Sequence, residues 1–186
     1  DLFQGLALSD PSQLWIEVQG SCNEQCIHCY AESAPKNLPS LSWQTVDALL
    51  EDARRWGFSL VQFTGGDPLL WDSLPRAVHE ARNRGLEPEI YTNGLLLDEA
   101  LYEELVPAEP RFAFSFYSHD PEVHDRITRR EGSWQRTLDA IRRAQAGPTP
   151  VRIGAVIVGP NRGHEEAIES LLNEHGISSD SIRFSY

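Results

Sequence analysis

The chain of 186 residues is 40% hydrophobic and 24% charged, enough apolar content for one sizeable core and too much for a disordered chain. A formal net charge of −12 gives no general attraction to phosphate backbones, which disfavours a nucleic-acid binder. No stretch approaches the ~18 apolar residues of a membrane span, and the first twenty or so residues lack the basic start and apolar run of a signal peptide.

Leu14 to Gln19 mixes Trp, Ile and Val and reads as a strand. Cys22, Cys26 and Cys29 follow in a loop, with Pro35 and Pro39 beyond. Ser42 suits a helix N-cap; Val46, Leu49, Leu50 and Ala53 recur at helical spacing, and Gly57 stands where that helix stops. Leu60 to Thr64 is a second strand, ending at Gly65-Gly66-Asp67-Pro68. A helix from about Leu74 to Arg84 ends at Gly85, and Glu89 to Thr92 is a third strand, ending at Asn93-Gly94. A short helix covers Asp98 to Leu105, and Phe112 to Tyr117 is the fourth strand. After a long polar connection, a helix capped by Ser133 carries Leu138, Ile141 and Ala144 on one face. Val151 to Val158 is a fifth strand, His164 to His175 a helix, and Ile182 to Ser185 a sixth strand.

A strand–helix unit thus repeats five times before a last strand. That order means parallel strands with right-handed crossovers, in an open doubly wound sheet or part of a barrel. The strands read as apolar-rich, as strands covered on both faces are. No repeat, low-complexity tract or internal linker divides the chain, so residues 1–186 are expected to form one domain. The chain has no methionine and its last residues read as a strand in mid-course, so a segment of a longer protein is expected. The polar and glycine-rich features all follow strands, where ligands bind in parallel α/β folds. They therefore converge on one rim.

All three cysteines lie between positions 22 and 29, and three cannot all pair with one another. Iron–sulfur clusters use cysteine thiolates, and three cysteines on a loop hold three irons of a cubane, leaving the fourth open. Zinc, with Cys22, Cys26, Cys29 and His28, is the main rival, but structural zinc usually takes spaced ligand pairs from two turns. A redox pair, Cys26 and Cys29, leaves Cys22 unexplained.

The string Cys22-Asn23-Glu24-Gln25-Cys26-Ile27-His28-Cys29-Tyr30 resembles the Cys-x3-Cys-x2-Cys signature of the radical S-adenosylmethionine (radical SAM) enzymes, and it follows a first strand as in that family. Gly65-Gly66-Asp67-Pro68 resembles the family's Gly-Gly-Glu-Pro element, with aspartate for the more frequent glutamate, and Thr92-Asn93-Gly94 its third-strand ending. The resemblance implies a partial (β/α)6 barrel. The stretch from Ser115 to Thr137 and the Cys-x-His-Cys-Tyr form of the loop are similar to peptide-modifying members with a SPASM-type C-terminal domain.

The same resemblance implies site roles. Cys22, Cys26 and Cys29 would ligate a [4Fe–4S] cluster whose open iron binds S-adenosylmethionine. His28 would lie near the adenine or steady the turn; Tyr30 would pack beside the cluster or anchor the loop. Gly65, Gly66 and Asp67 would offer backbone groups to the SAM ammonium, the glycines permitting close approach. Asn93 would hydrogen-bond the cofactor or end its strand. Ser115 matches a serine that contacts SAM, whereas Tyr117 stands where many relatives have aspartate. Arg136 is a candidate for the SAM carboxylate, and Val156 for the adenine face. Asp120, His124 and Asp125 read as capping or solvated groups rather than acid–base catalysts.

The expected function is reductive cleavage of SAM to a 5′-deoxyadenosyl radical that takes hydrogen from a ribosomally made peptide, with an external electron donor. The alternatives are a small metabolite or porphyrin-like substrate, or a non-catalytic metal-binding module. Reduced thiolates and an oxygen-sensitive cluster point to the cytoplasm.

Overall fold

A computed structural model describes residues 13–186; the first twelve residues of the expected domain lie outside the described residues. Six parallel strands form one sheet in chain order: β1 (Gln13–Gln19), β2 (Leu60–Gly65), β3 (Glu87–Thr92), β4 (Arg111–Ser115), β5 (Val151–Val156) and β6 (Ile182–Ser185). The sheet does not close, because β1 and β6 each pair with a single strand. This is the partial (β/α)6 barrel.

The helices are α1 (Trp43–Trp56), α2 (Leu74–Asn83), α3 (Glu99–Leu105), α4 (Pro121–Thr128), α5 (Ser133–Gln145) and α6 (Glu165–Glu174). Sequence chemistry sets their ends. Ser42 Oγ accepts from Thr45 N–H at the start of α1, and Gly57, at φ 80°, lets the chain turn left-handed at its end.

Alternation along each strand separates two environments. Ile16, Val18, Val61, Phe63, Ile90, Phe112, Phe114 and Ile153 point outward, where Val46, Leu50, Ala77, Leu138 and Ile141 of the helices bury them. The opposite face is polar: Gln13 and Glu17 on β1, Gln62 and Thr64 on β2, Glu89 and Tyr91 on β3, Ser115 on β4 and Arg152 on β5. This corrects the expectation of apolar-rich strands covered on both faces. A half-open barrel leaves its inner face to line a lumen, and only the outer face meets helices.

Two further expectations change. The long polar connection contains α4, which starts on Pro121 with the Asp120 side chain capping Glu122 N–H. Ser133 is the first residue of α5, not its cap. The cap comes from α4: Asp125 accepts from Gly132 N–H (2.6 Å), Trp134 N–H (2.9 Å) and Ser133 Oγ (2.9 Å). Asp120 and Asp125 are thus capping groups.

Candidate functional site

A cavity of about 260 Å³ opens at the carboxyl ends of the strands. Cys22, Cys26 and Cys29 border it, with His28, Tyr30, Gly65, Gly66, Asn93, Ser115, Tyr117 and Val156. The structure therefore brings together all but two of the residues singled out from the sequence.

Those two are Asp67 and Arg136. Asp67 is buried, and its carboxylate accepts from Thr92 Oγ1 (2.7 Å), Asn93 N–H (2.9 Å) and Leu69 N–H (3.0 Å). It pins the end of β3 to the end of β2 and does not border the cavity. Arg136 is exposed on α5; its neighbour Thr137 is the buried residue, donating to Asn93 O at 2.8 Å. One step along a helix turns a side chain by about 100°, which carries Arg136 away from the lumen.

The glycines also have a packing reason. A Cβ on Gly66 would stand 2.0 Å from Ser21 O, and one on Gly65, at φ 137°, 2.2 Å from Gln19 O. Gly66 N–H donates to Gln19 O and Asp67 N–H to Ser21 O, whereas an ammonium would be held by carbonyl oxygens. The glycines let the end of β2 lie against the backbone that leads into the cysteine loop.

The loop is held on several sides. Gln25 N–H and Ile27 N–H donate to Thr128 O and Ile127 O, the last carbonyls of α4. Cys22 N–H donates to Ala34 O at 3.1 Å, and Asn93 Nδ2 donates to Asn23 Oδ1. Two donors face Cys22 Sγ: Glu24 N–H at 3.4 Å and Asn93 Nδ2 at 3.7 Å. His28 meets Tyr117 edge-to-face, ring centroids 4.7 Å apart. Tyr30 is 82% exposed, with its hydroxyl on Glu17 Oε1.

Burial dominates the electrostatics. It pushes the Cys22 thiol up to about 12, aided by the Asp67 charge, and Cys26 higher still, aided by Glu24. The Glu24 carboxyl rises to about 8 for the same reason, although Cys26 Sγ donates to it at 3.4 Å. The positive charge of cluster irons would favour their thiolates. Among the described residues no three His, Cys, Asp or Glu side chains converge on one ion position. A cubane instead takes one thiolate on each iron, so cysteines ringed about a cavity suit it. Glu24 Oε1 and His28 Nδ1 are buried there without partners, as expected of a lining that awaits a polar group. The residues fit the cluster.

Sequence reading missed Glu24, Trp15, Ser33, Gln62, Thr64 and Tyr91, which also border the cavity. The strand residues share a signal: each is polar or aromatic at an inward position of an otherwise apolar strand. The signal for α4 was Asp120-Pro121-Glu122, an N-cap followed by proline.

The model of the radical SAM superfamily matches residues 16–174. The chain is similar to an Fe-coproporphyrin III synthase of Methanosarcina barkeri (27% identical, 84% of this chain, 39% of that protein). It is similar to a PqqA peptide cyclase of Granulibacter bethesdensis (28%; 88% and 43%) and a GTP 3′,8-cyclase of Chlorobaculum tepidum (30%; 91% and 51%). It thus spans about half the length of these relatives, or less. Among solved structures, Streptococcus suis SuiB bound to precursor peptide SuiA superposes with a TM-score of 0.77 at 18% identity, covering 91% of this chain and 38% of that one. That likeness is one of fold.

Proposed function

The chain belongs to the radical SAM superfamily, and on that premise we propose that it is the catalytic core of an enzyme that modifies a ribosomally made peptide. The cofactors of the family are a [4Fe–4S] cluster and S-adenosylmethionine. Cys22, Cys26 and Cys29 would hold the cluster. Once bound, it supplies the electron that splits SAM into methionine and a 5′-deoxyadenosyl radical able to take a substrate hydrogen atom.

The rest is work for the chain's own residues. Asn93 Nδ2 and Glu24 N–H aim partial positive charge at Cys22 Sγ, which stabilises a thiolate there. His28 and Tyr117, in ring contact, would suit an adenine together with Val156, and Ser115 offers a hydroxyl to the same cavity. Glu24 and Tyr117 sit deep enough to limit water around the reacting groups.

One observation carries the peptide reading: among the described residues no lysine or arginine borders the cavity. GTP brings a triphosphate and a coproporphyrin brings carboxylates; both ask for cations. The nearby guanidiniums of Arg111 and Arg152 are already paired with Glu87 and Glu89. A peptide brings neutral amides, which the hydroxyls and amides of this lining suit. The PqqA peptide cyclase supports the reading; the GTP cyclase supports the alternative of an anionic small molecule, which needs cations from beyond this segment.

The test is anaerobic. Full-length protein is reconstituted with iron and sulfide, reduced and given SAM, and 5′-deoxyadenosine is measured with and without candidate substrates. Wild type is expected to form it, Cys26→Ala to form none, and peptides rather than GTP to stimulate it. Product from Cys26→Ala, or stimulation by GTP alone, defeats the proposal.

A further inference from the structure

Across the lumen, side chains of four strands meet in one hydrogen-bonded group. Arg152 of β5 makes a bidentate pair with Glu89 of β3, Nε to Oε2 at 2.8 Å and Nη2 to Oε1 at 2.8 Å. Glu89 is only 2% exposed. Arg152 reaches it because the intervening strand offers little bulk: Ala113 is its partner in register on β4. Its guanidinium also lies 5.1 Å from the Tyr91 ring centroid, and Tyr91 fits because Gly154 has no Cβ; one there would stand 2.3 Å from the phenol oxygen.

Gln62 of β2 sits on top of this ion pair, 1% exposed and bordering the cavity. Its Oε1 accepts from Arg152 Nη2 (3.0 Å) and from Gln13 Nε2 (3.0 Å). Those two donors determine the amide's orientation, since the flipped amide would turn its own N–H groups towards a guanidinium. Gln62 Nε2 then has no acceptor among the described residues, yet it is not one of the enclosed unpaired atoms. Its donors therefore reach the cavity surface.

A fixed donor with no protein partner, at a lining without cations, is complementary to a neutral acceptor. We propose that Gln62 is a specificity-determining residue, whose amide N–H grips one amide carbonyl of the substrate peptide and so sets which residue is presented for hydrogen abstraction. The Arg152–Glu89 pair and Gln13 are positioning residues that keep this donor aimed. The assignment rests on the peptide reading above. It adds that recognition at the lumen floor is of backbone or side-chain amide, through one donor, and not of charge. A nearly dry site makes the contact selective, because a substrate lacking the acceptor leaves a buried N–H without a partner.

The experiment uses the full-length, cluster-loaded enzyme. The probes are synthetic peptides covering the short open reading frames beside its gene, with GTP and coproporphyrin III in parallel. Gln62→Leu removes the donor. Gln62→Glu keeps an oxygen for Arg152 and Gln13 but turns an acceptor towards the substrate, and it guards against a folding defect in the first variant. Iron content and melting temperature are recorded for each. For a peptide that stimulates wild type, both variants are expected to raise the half-saturating concentration about tenfold and to lower the modified peptide formed per 5′-deoxyadenosine. Unchanged half-saturation and coupling in Gln62→Glu overturn the Gln62 assignment alone. Failure of every peptide to stimulate wild type overturns the peptide reading, and the assignment with it.

Discussion

The Asp67 carboxylate and the Asn93 backbone N–H meet at 2.9 Å, tying the end of β2 to the residue whose side chain reaches Cys22 Sγ. The aspartate of the Gly-Gly-Asp-Pro element therefore acts on the cysteine loop through Asn93 and not by touching a ligand. In Asp67→Asn one oxygen is replaced by an –NH2 that faces donors. The variant is expected to lose about 1–3 kcal/mol in urea unfolding and to retain less iron after reconstitution. Wild-type stability with full iron would show that the carboxylate is incidental.

Gly66 tests the close approach of two backbones. Its absent Cβ would stand 2.0 Å from Ser21 O, and backbone cannot swing aside as a side chain can. Gly66→Ala is expected to stay folded by far-ultraviolet circular dichroism but to displace the Ser21–Cys22 segment and lower iron retention several-fold. An alanine variant that loads iron like wild type contradicts this packing.

The strand order and the cysteine loop were legible in the sequence because they rest on local signals. Apolar runs ended by Gly57, Gly85 and Asn93-Gly94 mark elements whose neighbours in sequence are neighbours in the sheet. Cys22, Cys26 and Cys29 declare themselves by spacing. The lumen did not. Gln62, Glu89 and Arg152 lie on three strands, and nothing local tells that their side chains meet. Helix α4 was obscured for another reason: between Pro121 and Thr128 its only aliphatic residues are Val123 and Ile127, too few for a clear helical stripe. Its work is done by carbonyls and by Asp125 instead. Arg136 was misplaced because its residue type suits a carboxylate, while its angular position on α5 follows from the burial of Thr137.

The Arg152–Glu89 pair is expected to behave as a unit. Arg152→Met leaves the buried Glu89 with only Arg111 Nε, 3.8 Å away, as a cationic partner among the described residues. A loss of about 2–4 kcal/mol in urea unfolding is expected, at the lower end because Arg152 is itself partly exposed. Adding Glu89→Leu should recover part of that loss, since the pair is then replaced by apolar volume. A double variant as unstable as the sum of the single changes would show that the two side chains are not coupled.

His124 supplies the acid sensitivity of the fold around β4. It is fully buried, packs against Phe116 and Tyr117, and its Nδ1 accepts from Tyr117 N–H at 3.2 Å. Burial lowers its pKa from 6.5 to about 4, against a small opposite pull from Asp125. The unfolded chain therefore binds a proton between those values that the folded chain does not. Its contribution is complete above pH 6.5 and falls away as pH drops towards 4. Asp67 and Glu24 run the other way, because burial raises both and favours the folded state on acidification. The measurement must therefore be a difference. Urea unfolding of wild type and His124→Asn is compared at pH 7 and pH 5, with the metal-free protein. Asparagine keeps an acceptor for Tyr117 N–H but does not titrate. Whatever the variant loses at pH 7 through poorer packing, the gap should move in its favour by about 2 kcal/mol at pH 5. An unchanged gap would mean that His124 takes up its proton over the same pH range in the folded and the unfolded chain, and would overturn this role.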